Sequence, residues 1–187
     1  VPEGPWGTLM LPSQAGGTNW AGGSLDPETG IIYLYTYTQV VSLGLINDPE
    51  RSEMNFIRGR ASEVSAREAS LSIDGIPIIK PPWGRITAID MNTGEHLWMI
   101  PNGDASQAEQ DRIRNHPLLQ GVEGVEVNRG RGGHSTMVAS PTLLFATGQT
   151  ADGAWKLFAI DKQTGERVGT VDIPGSTRYG MSSWSHE

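Results

Sequence analysis

Cysteine is absent from the sequence, which excludes disulfide bridges, thiolate metal ligands and cysteine nucleophiles. Basic residues are few: 14 lysines and arginines stand against 21 aspartates and glutamates, and the net charge is -7. Nucleic-acid binding is not expected, because no basic stripe is present to replace the counterions of phosphate groups. Apolar runs are short as well. None approaches the roughly 20 residues that span a bilayer, so no transmembrane segment is predicted.

The composition that remains is typical of a folded domain with many turns. The chain has 187 residues, 37% hydrophobic and 19% charged, which is enough to bury a sizeable core. Its 24 glycines and 12 prolines divide it into short segments. It begins at Val1 without a methionine or a signal-peptide pattern and stops at Glu187 inside an expected strand. We therefore interpret it as a piece of a longer protein.

The pattern Asp-x-x-Thr-Gly occurs three times, at Asp26–Gly30, Asp90–Gly94 and Asp161–Gly165. It suits a tight hairpin loop, because the aspartate can accept hydrogen bonds from amides two or three residues on and the glycine can take a positive φ. The second and third copies share more, since both read Ala-Ile-Asp-x-x-Thr-Gly-Glu and both lie between β-prone segments. These copies indicate a repeated hairpin unit.

Alternating and β-branched residues around these loops predict nine strands. The strands are expected near 18–25, 31–38, 84–90, 95–100, 134–140, 143–149, 155–161, 166–172 and 179–186. Long insertions are expected at about 39–80 and 101–130, the second with a short helix over 105–114 opened by Asp104. We predict an all-β fold of β-propeller blades with four antiparallel strands each, comprising two blades and the first strand of a third.

The second copy carries a resemblance to a known family. Ala88, Asp90, Thr93, Gly94 and Trp98 follow the pattern A-x-D-x-x-T-G-x-x-x-W, which is similar to the tryptophan-docking motif of the quinoprotein dehydrogenases that use pyrroloquinoline quinone (PQQ). The segments GGTNWAGGSLDPETGIIYLYT before it and SPTLLFATGQTADGAWKLFAIDKQTGE after it resemble that family in the same order. The resemblance implies that residues 1–187 are the C-terminal part of an eight-bladed propeller domain.

The docking motif is also physically intelligible. The indole of Trp98 can lie against the next blade with its N–H on a backbone acceptor, and Ala88 leaves room for the ring. We interpret Trp98 as a packing residue. The third copy has Gly169 at the matching position, so its own contact with a neighbouring blade must be made differently.

Candidate cofactor residues lie in two glycine-rich segments. Asn19 and Trp20 stand among glycines that let a flat group approach the backbone, and in the family that this segment resembles the Asn of the Asn-Trp pair lies against PQQ. The alternative is that Asn19 caps a turn and Trp20 packs between blades. Gly132 and Gly133 match a Gly-Gly pair that the family places near the cofactor, and Arg131 or His134 could reach the same pocket.

The resemblance also implies an activity. Family members oxidise a sugar or alcohol hydroxyl, transfer reducing equivalents to PQQ beside a bound Ca2+, and pass the electrons to cytochrome c or ubiquinone in the periplasm. The general base and the calcium ligands are expected upstream of Val1. No catalytic or metal-binding residue is therefore assigned here, and the chain by itself is expected to be inactive. The alternative function is a non-catalytic propeller that serves as a scaffold in outer-membrane protein assembly.

Overall fold

The computed structural model describes residues 7–13, 15–59, 71–125, 128–131, 133–177 and 179–184. Two units are distinguished: residues 1–17 with 38–80, and residues 18–37 with 81–187. In chain order the elements are β1 (Thr8–Met10), β2 (Ser24–Asp26), β3 (Ile31–Tyr37), β4 (Val41–Ile46), β5 (Ile57–Gly59), β6 (Ser72–Ile73), β7 (Ile76–Pro77), β8 (Gly84–Asp90), β9 (His96–Pro101), α1 (Gln107–Arg114), a 3-10 turn (Pro117–Leu119), β10 (Met137–Ala139), β11 (Leu143–Gln149), β12 (Trp155–Asp161) and β13 (Arg167–Asp172).

The smaller unit is itself β-structured. It contains an antiparallel sheet in the order β1-β4-β5 and the β6-β7 hairpin. The sequence analysis had assigned no strands to the insertion at 39–80, so β4 to β7 correct it. The signal was present in Val41–Ile46, where leucine and valine alternate with serine and glycine before the strand ends in two apolar residues.

The larger unit contains the two predicted blades. One sheet has the order β2-β3-β8-β9 and the other β10-β11-β12-β13, and every pairing is antiparallel. The hairpins β8-β9 and β12-β13 turn where the second and third Asp-x-x-Thr-Gly copies lie. The all-β prediction of four-stranded propeller blades is therefore confirmed.

Three of the predicted strands differ from the structure by more than one residue at an end. Of the expected strand at 18–25, only residues 24 and 25 pair with a neighbour, as part of β2, because the Asn19 carbonyl accepts the Gly22 N–H at 2.8 Å and closes a turn. Only Met137–Ala139 of the strand expected at 134–140 is present. The expected strand at 179–186 is not formed by the described residues 179–184, which pair with no other strand.

All three Asp-x-x-Thr-Gly loops have the expected geometry. The glycine N–H donates to the aspartate carbonyl at 2.7 to 2.9 Å in each copy, and the glycine φ lies between 72° and 77°. Each aspartate side chain also accepts from the backbone two residues on, as Asp90 does from the Asn92 N–H at 2.7 Å. The loop conformation thus follows from the local sequence.

Helix α1 begins two residues later than predicted. Its N-cap is Ser106, whose hydroxyl accepts the Glu109 N–H at 3.3 Å, and not Asp104. Ser106 and Glu109 have the spacing of a capping box, which is a stronger helix-start signal than an isolated aspartate. Asp104 instead accepts from Arg167 at 2.9 Å and so ties this loop to strand β13.

One hydrophobic core joins the two blades. Alternate residues of each central strand are buried on the face shared with the other blade, as the two-residue period of a strand requires. The buried members are Tyr33, Tyr35, Ile86 and Ala88 from the first blade and Met137, Leu144, Ala146, Phe158 and Ile160 from the second. The blades are therefore held together mainly by apolar contact.

Trp98 docks the first blade onto the last hairpin of the second. Its Nε1–H donates to the Lys162 carbonyl at 2.9 Å, and its ring centroid lies 5.7 Å from that of Tyr33. Gly165 has φ +74°, and a Cβ added there would lie 2.9 Å from the indole, so glycine is required for both conformation and space. Ala88 pairs directly with Trp98 across the β8-β9 ladder. The predicted packing role of Trp98 is confirmed.

A buried ion pair lies beside this contact, and the sequence analysis missed it. The Lys162 ammonium lies 2.5 Å from Asp26 Oδ2, and the two residues are 7% and 5% exposed. Lys162 also donates to the carbonyls of Ser140 and Pro141 at 2.9 and 3.0 Å. Hydrogen bonds from Lys162 and then Thr29 hold the pKa of Asp26 at about 2, below its ordinary 3.8. Asp26 therefore shapes its own hairpin loop and also links that loop to the one that contains Lys162.

We predict that Trp98→Ala lowers the free energy of unfolding of the whole protein by about 2 to 4 kcal/mol, because a half-buried ring and its hydrogen bond are both lost. Trp98→Phe is the matched control: it retains an aromatic ring and should cost only about 1 kcal/mol for the missing N–H donor. Urea unfolding measures both changes. Equal losses in the two variants would contradict a docking role that depends mainly on ring contact.

We also predict a pH dependence of stability from Asp26. Because its pKa falls on folding, the charged carboxylate stabilises the native state fully above pH 3.8, and this contribution is lost as the pH falls towards 2. The difference in unfolding free energy between wild type and Asp26→Asn should therefore shrink across that interval. Urea titrations at several pH values measure it. A difference that stays constant down to pH 2 would show that Asp26 is not stabilised as a carboxylate.

Candidate functional site

The loop that carries Asn19 and Trp20 is held by the hydroxyl of a buried tyrosine. Tyr35 on β3 is fully buried, and its oxygen lies 3.0 Å from the Asn19 carbonyl, 3.2 Å from the Trp20 carbonyl and 3.3 Å from the Asn19 N–H. Burial raises the pKa of Tyr35 above its ordinary value of 10.0, so the hydroxyl keeps its proton. Thr18 adds a second anchor by donating to the Tyr35 carbonyl at 2.8 Å.

His134 of the second blade contacts the same loop. Its Nδ1 lies 2.9 Å from the Trp20 carbonyl and 2.9 Å from the Tyr35 hydroxyl. A carbonyl oxygen only accepts hydrogen bonds, so this geometry assigns the proton to Nδ1. The exposed Nε2 makes no hydrogen bond within the described part of the chain. His134 thus joins the two glycine-rich segments and presents its second nitrogen to solvent.

The segment that leads to His134 is positioned by its backbone and by one asparagine. The Arg131 N–H donates to the Asn102 carbonyl at 2.7 Å, and the Trp83 N–H donates to the Arg129 carbonyl at 2.7 Å. Asn128 donates to the Gly103 carbonyl at 3.0 Å and accepts from the Gly130 N–H at 3.0 Å. The loop is therefore fixed against the end of strand β9.

These contacts bring three of the four predicted cofactor residues to one end of the two blades. Asn19 is exposed, Trp20 is 79% exposed, and Gly133 is followed directly by the His134 that contacts Trp20. Gly133 has no atom within 4 Å of an added Cβ, so the space beside it is open. Gly132, the fourth predicted residue, lies outside the described residues.

The alternative roles were a turn cap for Asn19 and packing between blades for Trp20, and the structure supports only the first. Asn19 Oδ1 accepts the Trp20 N–H at 2.8 Å, so its side chain does take part in a local turn. Trp20 does not pack between the two blades, because four fifths of its surface is open to solvent. A large exposed indole is the feature of this loop that packing leaves unexplained.

A cavity of about 50 Å3 opens beside His134. It is lined by Asn102, Arg131, Gly133, His134, Gly148, Gln149 and Trp155. Asn102 is 5% exposed, and its Oδ1 has no hydrogen-bond partner among the described residues. Tyr35 and Asn102 are the residues of this region that sequence reasoning missed. Neither lies in a motif, and the burial that makes each of them informative arises only from the packing of two blades.

In the part of the chain that the structure describes, no group of three or more histidine, aspartate and glutamate side chains is placed to hold a metal ion. None of the described helices is long and apolar enough to cross a membrane.

Comparison with known proteins gives a consistent family. The model of the glucose/ethanol/alcohol dehydrogenase β-propeller domain, a PQQ family, matches residues 1–187. A glycerol dehydrogenase large subunit of Gluconobacter thailandicus is 30% identical over 203 residues, covering 91% of this chain and 24% of the relative. A probable quinate dehydrogenase (quinone) of Xanthomonas campestris pv. juglandis is 26% identical over 195 residues, with 96% and 23% covered. The chain thus spans about a quarter of the length of these curated relatives.

Two tyrosines of β3 provide a matched test of the loop anchor. Tyr33 and Tyr35 are both fully buried, but the Tyr33 hydroxyl has no hydrogen-bond partner among the described residues. We predict that Tyr35→Phe lowers the free energy of unfolding by about 1 to 2 kcal/mol, whereas Tyr33→Phe is neutral or slightly stabilising. Urea unfolding of the two variants measures the difference. Equal effects would show that the Tyr35 hydroxyl does not anchor the loop.

Proposed function

Since the chain belongs to the PQQ-dependent glucose/ethanol/alcohol dehydrogenase β-propeller family, we propose that it supplies part of the cofactor site of a quinoprotein dehydrogenase. The proposed reaction is the oxidation of a sugar, polyol or other alcohol hydroxyl, with reducing equivalents passed on to ubiquinone or cytochrome c. One observation carries the proposal. Tyr35 and His134, from two different blades, hold an exposed Asn-Trp pair at one end of the blades.

The residues present suit a planar, anionic quinone. Trp20 offers an exposed flat face, Asn19 an amide that can donate and accept, and Gly133 an open space where a side chain would stand. Arg131 adds a positive charge beside Gly133. When bound, PQQ supplies the ortho-quinone that accepts two electrons from a CH–OH group. Among the described residues, the proposed role of Asn19, Trp20 and Gly133 is to bind and orient that group.

The proposed substrate class is taken from the substrates for which the relatives are named. One of the matched proteins is named for glycerol and another for quinate, and both of these compounds carry several hydroxyl groups. We accordingly place a polyhydroxylated alcohol first among the candidate substrates. Ca2+ and the general base are proposed to come from residues beyond this chain, and the periplasm is the proposed location. No observation favours the alternative role as an assembly scaffold.

The binding of PQQ tests this proposal directly. In the whole protein, Asn19→Ala should weaken PQQ binding about 5- to 150-fold, since a buried cofactor oxygen left without its partner costs about 1 to 3 kcal/mol. The melting temperature should change little, because the Asn19 side chain is exposed. Titration of the apoprotein with PQQ, read beside melting curves, measures both quantities.

Two variants serve as controls for that titration. Asn115→Ala removes an equally exposed amide at the end of helix α1 and should leave PQQ binding unchanged. Trp98→Ala should lower the melting temperature while its folded fraction keeps its PQQ affinity. An Asn19→Ala protein that binds PQQ normally and melts early would assign Asn19 to the turn alone.

A further inference from the structure

The cavity beside His134 is lined by two polar side chains that use only part of their hydrogen-bonding capacity among the described residues. Among the described residues, the guanidinium of Arg131 makes one long hydrogen bond, from Nη1 to the Thr150 carbonyl at 3.4 Å. Within the described residues, no carboxylate lies within ion-pair distance of it. Arg167, by contrast, pairs with Asp104 at 2.9 Å. Asn102 lines the same cavity, 95% buried by its 5% exposure, and its Oδ1 accepts nothing from the residues that the structure describes.

Such a pair defines the chemistry of a ligand that suits the cavity. A guanidinium presents several N–H donors in a planar fork that matches the two oxygens of a carboxylate. A buried amide oxygen without a partner is unfavourable, so a fitting ligand presents a hydrogen-bond donor to it. The ligand group is therefore an anion with an N–H or O–H donor next to it. The positive charge of Arg131 would repel a cationic ligand group from the cavity.

The size of the cavity limits what enters it. About 50 Å3 holds a few water molecules, since each needs roughly 10 to 15 Å3 of such space. A carboxylate group with its neighbouring donor fits there, whereas a fused ring system does not. The occupied group must therefore be the end of a larger molecule whose body lies outside the cavity. Gly133 and His134 form part of the lining, and His134 contacts the Trp20 carbonyl, so that body would lie beside the Asn-Trp loop.

We propose that Arg131 and Asn102 form a carboxylate-binding subsite that anchors the end of a ligand held over Asn19 and Trp20. The proposal rests on the function proposed above and extends it by naming a second point of attachment. Arg131 binds the carboxylate, and Asn102 Oδ1 accepts from the adjacent N–H or O–H. Two molecules offer this chemistry: PQQ itself, in which a carboxylate adjoins the pyrrole N–H, and a hydroxy-acid substrate.

The test uses the whole apoprotein and two probes. The first arm titrates PQQ in the absence of substrate. The second titrates glycolate in the absence of PQQ, with uncharged ethylene glycol as its neutral counterpart, and follows the backbone amide signal of Gly133. Arg131→Gln should weaken binding about 10- to 100-fold in the arm that supplies the natural carboxylate. Arg131→Lys keeps the charge without the fork and should lose less.

Controls separate the subsite from general charge and from misfolding. Arg112→Gln removes the same charge from the exposed side of helix α1 and should leave both arms unchanged. Asn102→Asp places a tethered carboxylate in the cavity and should compete with either probe. Because this variant changes a different residue of the cavity lining, the test does not depend on the folding of Arg131→Gln. Melting curves report the folded fraction of each protein.

Each outcome decides the proposal. Weakening of PQQ binding by Arg131→Gln assigns the subsite to the cofactor, and weakening of glycolate binding assigns it to the substrate. Unchanged affinity in both arms for a folded Arg131→Gln or Asn102→Asp protein overturns it. If the wild type binds no PQQ but binds glycolate in an Arg131-dependent way, the proposed function fails and the carboxylate subsite stands.

Discussion

The contact between the two blades at Lys162 is the constraint on which the described site depends. Its carbonyl accepts the Trp98 indole N–H, and its ammonium reaches back to Asp26. One residue of a hairpin loop thus contacts both the outer and the inner strand of the neighbouring blade. A buried lysine needs its charge partner and its hydrogen bonds satisfied together, and here one carboxylate and two carbonyls satisfy it. Together with the shared apolar core, that arrangement holds the two blades against each other, and at the same interface Tyr35 of one blade lies 2.9 Å from His134 of the other.

The two tyrosines of strand β3 show how the same face serves two purposes. Both are fully buried two residues apart, so both side chains lie on the face that packs against the second blade. Tyr33 packs near Trp98, and burial followed by the charges of Asp26 and Asp161 raises its pKa to about 12. The hydroxyl of Tyr35 instead contacts the backbone of the loop at 18–20. The interblade face therefore contributes to stability at one tyrosine and to the presentation of the site at the next.

Much of the local structure was predictable because it depends on contacts between near neighbours. The three Asp-x-x-Thr-Gly loops form through bonds that span two to four residues, and the glycine conformation follows from its missing Cβ. The spacing of Ala88, Gly94 and Trp98 likewise predicted the docking of the indole, including its backbone acceptor. The start of helix α1 and strand β4 were predictable in the same way, from the Ser106–Glu109 spacing and from the pattern of Val41–Ile46.

The sequence by itself determined the hairpin turns, the four-stranded blades, the packing role of Trp98 and the family, because each is written in residues close together along the chain. Only the tertiary structure decided which distant groups meet. Nothing in the sequence marks Asp26 and Lys162 as partners, and nothing links Tyr35 or Asn102 to the segment that contains Arg131 and His134. Their juxtaposition is set by the packing of one sheet on another, where the burial of each group and the identity of its partner are properties of two surfaces at once. A pattern read along one strand cannot contain that information.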